Sequence, residues 1–148
     1  MCIRDRFLAT NIANADLQGI ELELSTQLYS WNVNLNADLL SAEDADTEIE
    51  LDDRAEETLI LSADRDFGKL NLSFDLKVES NGFDLNGIQL GGYSLFDIAA
   101  KYQFNDDFSI STNIDNIFDK DFTVNLVNDF ERFNTEGRQA KVTVKYSF

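Results

Sequence analysis

The 148-residue chain has no proline, no histidine and a single cysteine, Cys2. Without histidine it lacks the usual general base near neutral pH and the commonest imidazole metal ligand. One cysteine excludes both a disulfide framework and a thiolate metal cluster. Basic residues are scarce: 12 Lys and Arg stand against 28 Asp and Glu, for a net charge of -16. Such a surface repels a phosphate backbone, so no nucleic-acid partner is expected. No run of about eighteen apolar residues exists, so no transmembrane helix is expected, though a β-barrel crosses a bilayer without one. The opening MCIRDR, Met1 to Arg6, has no basic segment followed by an apolar one, so it is not a signal peptide. It resembles translated sequencing-adapter DNA at the edge of a metagenomic contig. Residues 1–6 are therefore expected to be a non-native leader, and Cys2 to say nothing about redox compartment.

What the sequence does have is a period of two. Ile20, Leu22, Leu24 and Leu28 alternate with Glu21, Glu23, Ser25 and Gln27. Trp31, Val33, Leu35, Ala37 and Leu39 alternate with Asn32, Asn34, Asn36 and Asp38. Leu70 to Val78 repeats the pattern, as do Phe96 to Phe104, Phe108 to Ile114 and Ala140 to Phe148, while a noisier segment runs from Thr58 to Phe67. The reading is an all-β antiparallel sheet of about seven long strands. Short connections fall near Tyr29-Ser30, Asp66 to Lys69 and Asn105 to Asp107. Long ones run from Ser41 to Glu56, Ser80 to Gly92 and Phe118 to Glu136. Short turns on one side and long loops on the other are the plan of an outer-membrane barrel, and strands near ten residues suffice to cross a bilayer at a tilt.

A soluble β-sandwich also gives each strand one apolar face. Strand length, loop rhythm and the aromatics near strand ends (Trp31, Tyr93, Tyr102, Phe104, Phe108, Tyr146 and Phe148) favour the transmembrane barrel, with the rings as interfacial girdles. Lys77, Lys141 and Lys145 are then expected in the lumen with Asn34, Asn36 and Asp75, because a lysine at mid-membrane on the lipid face costs roughly 2–4 kcal/mol. Seven strands leave open edges, which lipid does not tolerate, so residues 7–148 are read as the C-terminal part of a larger barrel.

Two motifs sharpen this reading. DNIFDKDF, Asp115 to Phe122, and EGRQAKVTVKYSF, Glu136 to Phe148, resemble the C-terminal end of TonB-dependent outer-membrane receptors, the cobalamin and siderophore receptors above all. YSLFD, Tyr93 to Asp97, is similar to the start of the family's preceding strand. The family motif maps onto Asn116, Ile117, Phe118, Asp119, Lys120 and Phe122, then Gly137, Arg138 and the aromatic Phe148. Phe122 replaces the usual tyrosine, and Glu136 stands where proline is common. The resemblance implies a barrel of about 22 strands, a plug domain that engages TonB and is absent from this chain, and a Gram-negative outer membrane as location. It implies a metal chelate or cobalamin as ligand, with outer-membrane lipid and the barrel-assembly machinery as further partners. Val142, Val144, Tyr146 and Phe148 would form the membrane-insertion signal, read by strand addition. The alternatives are a soluble secreted all-β binding module and a porin-type barrel.

No enzyme activity, cofactor or metal site is expected. Ala42 to Glu57 holds nine carboxylates, but its spacing is not that of an EF-hand loop, and a solvated charged face explains it better than calcium. Asp106, Asp107, Asp115 and Asp119 form no catalytic pair with a partner nucleophile. Gly87, Gly91 and Gly92 precede no helix and so make no phosphate cradle. Asp119 and Arg138 are expected to pair across the base of the last loop. Phe130, Arg132 and Phe133 are loop residues for ligand contact or for packing within the loop.

Overall fold

The alternating segments pair in chain order in the computed structural model, which describes residues 14–45, 56–83, 89–128, 131–134 and 137–148. The leader Met1 to Arg6, most of the acidic run and Phe130 lie outside the described residues. The main sheet is built from β1 (Ala15–Leu28), β2 (Trp31–Asp44), β3 (Glu57–Asp66), β4 (Leu70–Glu79), β7 (Tyr93–Gln103), β8 (Phe108–Asp115) and β11 (Gln139–Tyr146), in that order and antiparallel throughout. Two small hairpins stand apart from it: β5 (Gly82–Phe83) with β6 (Gln89–Leu90), and β9 (Thr123–Asn128) with β10 (Glu131–Asn134). Both lie inside segments expected as long loops.

The register carries the sequence pattern from strand to strand. One rung runs Leu24, Leu35, Leu61, Leu76 and Phe96 across five strands. The next runs Ser25, Asn34, Ser62, Asp75 and Asp97. Successive side chains point to opposite faces, so along these rungs one face is apolar and the other polar. Lys77, Lys141 and Lys145 share the polar face with Asn34, Asn36 and Asp75, as expected. That face is knitted by side-chain hydrogen bonds: Ser62 Oγ donates to Asp75 at 2.6 Å and Asn32 Nδ2 to Asp64 at 3.0 Å.

Among the described residues no second layer covers the apolar face. Among the described residues Ala42 alone is a buried apolar side chain, whereas Ile20, Val142 and Val144 are each more than 60% exposed. A sandwich would bury these rows against a partner sheet at about 25 cal/mol per Å². The main sheet is instead a single layer whose apolar side requires another apolar phase.

β1 and β2 are the longest strands. Their ladder runs to Ala15 opposite Asp44, whereas β3 joins β2 only up to Leu39. Fourteen residues span roughly 46 Å, more than a bilayer core requires. The excess lies at the long-loop end.

Aromatics mark the apolar face from end to end. Trp31 contacts Phe67 and Phe74, Phe74 stacks on Phe96, and Phe96 on Phe118, with centroids 5.5–6.2 Å apart. Tyr102, Phe104 and Phe108 cluster at the short-turn end, and Tyr146 lies opposite Phe108. Tyr93 departs from the expected girdle. It sits opposite Glu79 and therefore on the polar face, where its ring stacks on Phe122 at 3.8 Å.

Candidate functional site, the motif knot at the long-loop rim

The two legs of the last long connection, one leaving β8 and one entering β11, meet in a knot of backbone and side-chain hydrogen bonds. Asn116 stands at its centre, only 6% exposed. Its backbone φ is 52°, and that of Asp119 is 54°. Left-handed backbone is costly for most side chains and least so for Asn and Asp, which is why the motif has those residue types there. The Asn116 side chain then closes the turn on itself: Nδ2 donates to the Lys120 carbonyl at 2.9 Å, and Oδ1 accepts from the Lys120 N–H at 2.8 Å. The Asp119 N–H donates to the Asn116 carbonyl at 2.8 Å.

Two carboxylates fasten this turn to its surroundings. Asp97, at the end of YSLFD on the neighbouring strand, accepts the Asn116 N–H at 2.6 Å. The Ile117 N–H donates to the Phe96 carbonyl at 2.9 Å, so both residues of β7 hold the turn. Asp119 Oδ1 accepts the Arg138 backbone N–H at 2.8 Å. The same oxygen lies 2.8 Å from where a Cβ on Gly137 would sit, which explains the glycine. Asp119 thus engages the backbone of Arg138 and not its guanidinium. The expected pairing of Asp119 and Arg138 across the loop base is made through the Arg138 backbone. The guanidinium Nη1 donates to the Ile117 carbonyl at 3.3 Å. Gly137 has no Cβ, and this lets the carboxylate reach the chain instead of the distal charge.

Phe118 projects from the knot, 77% exposed, and meets Phe96 on the apolar face. Lys120 contributes its backbone, and its side chain is exposed. On the polar face a recess of about 270 Å³ is lined by Leu95, Asp97, Asp115, Phe122 and Gln139. Above it Tyr93 stacks on Phe122, and Lys77, paired with Glu79, lies 5.8 Å from the Tyr93 ring.

The sequence motif brings Asn116, Asp119, Lys120, Gly137 and Arg138 together. Asp97 and the Phe96 carbonyl were not singled out for a role; the signal was the position of Asp97 inside YSLFD. Val142, Val144, Tyr146 and Phe148 are elsewhere, all exposed on the edge strand β11 and beyond it toward the short-turn end. The backbones of Arg132 and Phe133 belong to β10. Hydrogen-bond donors and acceptors in the knot satisfy one another, so the arrangement orders a loop base and offers no nucleophile or proton-transfer pair.

Three comparisons with known proteins bear on this geometry. Residues 2–117 match the family model described as "TonB dependent receptor-like, beta-barrel". The vitamin B12 transporter BtuB of Photobacterium profundum is 28% identical over 144 residues, which is 96% of this chain and 23% of that protein. Among solved structures, the ferric yersiniabactin uptake receptor FyuA of Yersinia pestis superposes with a TM-score of 0.79 at 19% identity, covering 90% of this chain and 24% of that one. The pyoverdine receptor FpvA of Pseudomonas aeruginosa gives 0.77 at 22% identity, with 90% and 22% covered. The chain thus spans about a quarter of the length of the proteins it matches.

Proposed function

Because the chain belongs to the TonB-dependent receptor-like β-barrel family, we propose that it is the C-terminal wall of a transporter that takes up a scarce nutrient, cobalamin or a siderophore–iron chelate. Receptors of this family lie in the outer membrane of Gram-negative bacteria, and this chain is part of such a barrel. The observation that carries the reading is the single-layer sheet with one exposed apolar face and one polar face. Hydrocarbon covers the first, and the second lines a wet interior.

In this reading the long loops capture the ligand outside the cell. The knot at Asn116 fixes the base of the last loop, and Tyr93, Phe122 and Lys77 line the interior wall beside it, toward the long-loop end. TonB supplies energy from the inner membrane through a plug domain encoded elsewhere in the gene. Cobalamin is the first ligand to test, since a vitamin B12 transporter aligns with nearly the whole chain; the structural likenesses support the fold alone. β11 serves a second purpose during assembly. Its outer edge, with Val142, Val144, Tyr146 and Phe148, is the strand that the barrel-assembly machinery reads.

The full-length gene, expressed in a strain without its own cobalamin receptor, is expected to restore growth on limiting cyanocobalamin. The purified receptor is expected to bind cyanocobalamin saturably. If it binds neither cyanocobalamin nor ferric siderophores, the uptake reading fails. Orientation is tested separately by Phe74→Lys, which places a charge in mid-strand on the apolar face at a cost of roughly 2–4 kcal/mol. The folded, outer-membrane fraction should collapse, while Asp75→Lys on the opposite face leaves it largely intact. Equal yields from the two variants would overturn the assignment of faces.

A further inference from the structure

The apolar face carries a cation. Among the described residues of the seven strands, Arg65 is the basic side chain that falls in the apolar row, following Leu61 and Ala63 on β3 and facing Leu72 on β4. Lys77, Lys101, Lys141 and Lys145 all belong to the opposite face. The guanidinium carbon of Arg65 lies 4.5 Å from the centroid of the Phe67 ring. Phe67 meets Trp31 edge-on at 6.0 Å, and Trp31 meets Phe74 at 5.5 Å. The Arg65 Nε is buried without a hydrogen-bond partner, and among the described residues the side chain makes a ring contact but no hydrogen bond or ion pair.

A guanidinium has five donors in a planar fork. The charged side chains near it in sequence bond elsewhere. The Asp66 carboxylate accepts the Gly68 N–H at 2.7 Å, and the Lys69 ammonium donates to the Phe104 carbonyl at 3.0 Å. Arg65 lies one residue from the end of β3, directly before the short turn. At that depth an arginine on the lipid face reaches the headgroup layer, where the penalty of the midplane has largely vanished.

We propose that Arg65, braced on Phe67 and Trp31, binds the phosphate of a phospholipid whose acyl chain lies along Leu72 and Phe74. The inference rests on the reading that the apolar face meets lipid. The fork matches a phosphate bidentately, the ring beneath it fixes its plane, and the apolar row continues toward mid-membrane where an acyl chain must go. A phosphate also provides acceptors that the described residues do not give this side chain.

The test uses the full-length receptor in detergent micelles, with bound lipid counted by native mass spectrometry. The probes are dioleoyl phosphatidylglycerol, dioleoylglycerol and inorganic phosphate. Wild type should retain one more phosphatidylglycerol than Arg65→Gln, with apparent affinity at that site falling about tenfold in the variant. Arg65→Lys, which keeps the charge and loses the fork, should fall less, about threefold. Dioleoylglycerol should show no difference between wild type and Arg65→Gln, and millimolar phosphate should not displace the lipid. Equal phosphatidylglycerol occupancy in wild type and Arg65→Gln would overturn the proposal, as would displacement by free phosphate or equal retention of dioleoylglycerol. Heat-modifiable mobility of Arg65→Gln keeps the two readings apart: a variant that folds in the outer membrane and loses no lipid defeats the site and leaves the barrel standing.

Discussion

At the short-turn rim the chain reverses within two to four residues, and neighbouring turns hold each other mainly through their backbones. The Gln103 N–H donates to the Lys69 carbonyl at 2.7 Å, and the Ser147 N–H to the Asp107 carbonyl at 2.9 Å. Local side chains assist: Asn105 Oδ1 accepts the N–H groups of Asp107 and Phe108. At the long-loop rim side-chain carboxylates take over: Asp97 accepts the Asn116 N–H and Asp119 accepts the Arg138 N–H. A tight turn closes at little entropic cost, because its ends are already close. A long loop has no such advantage, and side chains of particular shape fix its legs. The legs of the loop are thereby fixed at their base, where the recognisable motif sits.

This contrast makes the long-loop rim the more fragile one. Asn116→Ala removes both side-chain bonds to Lys120, leaves buried backbone groups unmet, and puts an alanine at a φ of 52°. A loss of about 3 kcal/mol in guanidinium unfolding of the full receptor in detergent is expected. Cleavage in the loop between β8 and β11 should speed up during limited proteolysis. A loss under about 1 kcal/mol with unchanged proteolysis would show that the knot does not hold the loop. Gly137→Ala comes next. Its methyl would meet Asp119 Oδ1 at 2.8 Å, and the carboxylate must turn away from the Arg138 N–H. About 1–2 kcal/mol should be lost, and Asp119→Ala in the same background should add little, since the two changes remove one interaction. Full additivity in that double-mutant cycle would break the link.

Period-two alternation made the faces legible because a single slip would invert every side chain of a strand. It worked best for β4 and for β2 up to Leu39, where apolar and polar residues alternate without exception. β7 is harder to read: Leu95 and Ala99 on its polar row blur the alternation, and Tyr93, expected in the girdle, lies on the polar face. Arg65 made β3 noisy for a physical reason, since a cation in an apolar row is costly except near a headgroup. In the knot, the motif named the right residues without their bonds. Their places in the motif suggested that Asp119 and Arg138 pair across the loop base, without showing through which atoms. The missing Cβ of Gly137 brings the carboxylate onto the backbone, and no charge pattern encodes such an approach. Asp97 acts through a neighbouring strand, and only the register shows which residue lies beside Asn116.

The smallest expected effect belongs to the short-turn rim. Tyr29 and Ser30 form the two-residue connection between β1 and β2, with φ of 49° and 66°. Both angles belong to the turn type that matches strand twist, yet neither residue is the Asn or Gly that such turns favour. The Tyr29 ring is 92% exposed, so it contributes little packing to offset the strained backbone. Tyr29→Asn should therefore raise stability in detergent by about 0.5 kcal/mol, read as a small upward shift of the unfolding midpoint with an unchanged slope. An amphipathic ring at a turn facing the bilayer interface can also act as an anchor. The same variant measured in lipid vesicles separates the two effects: a gain in both media assigns the tyrosine a purely local cost, whereas a gain in detergent that reverses in vesicles shows that the rim tolerates backbone strain in exchange for an interfacial ring. A loss in detergent as well would break the comparison, because the turn would then depend on side-chain contacts as the knot does.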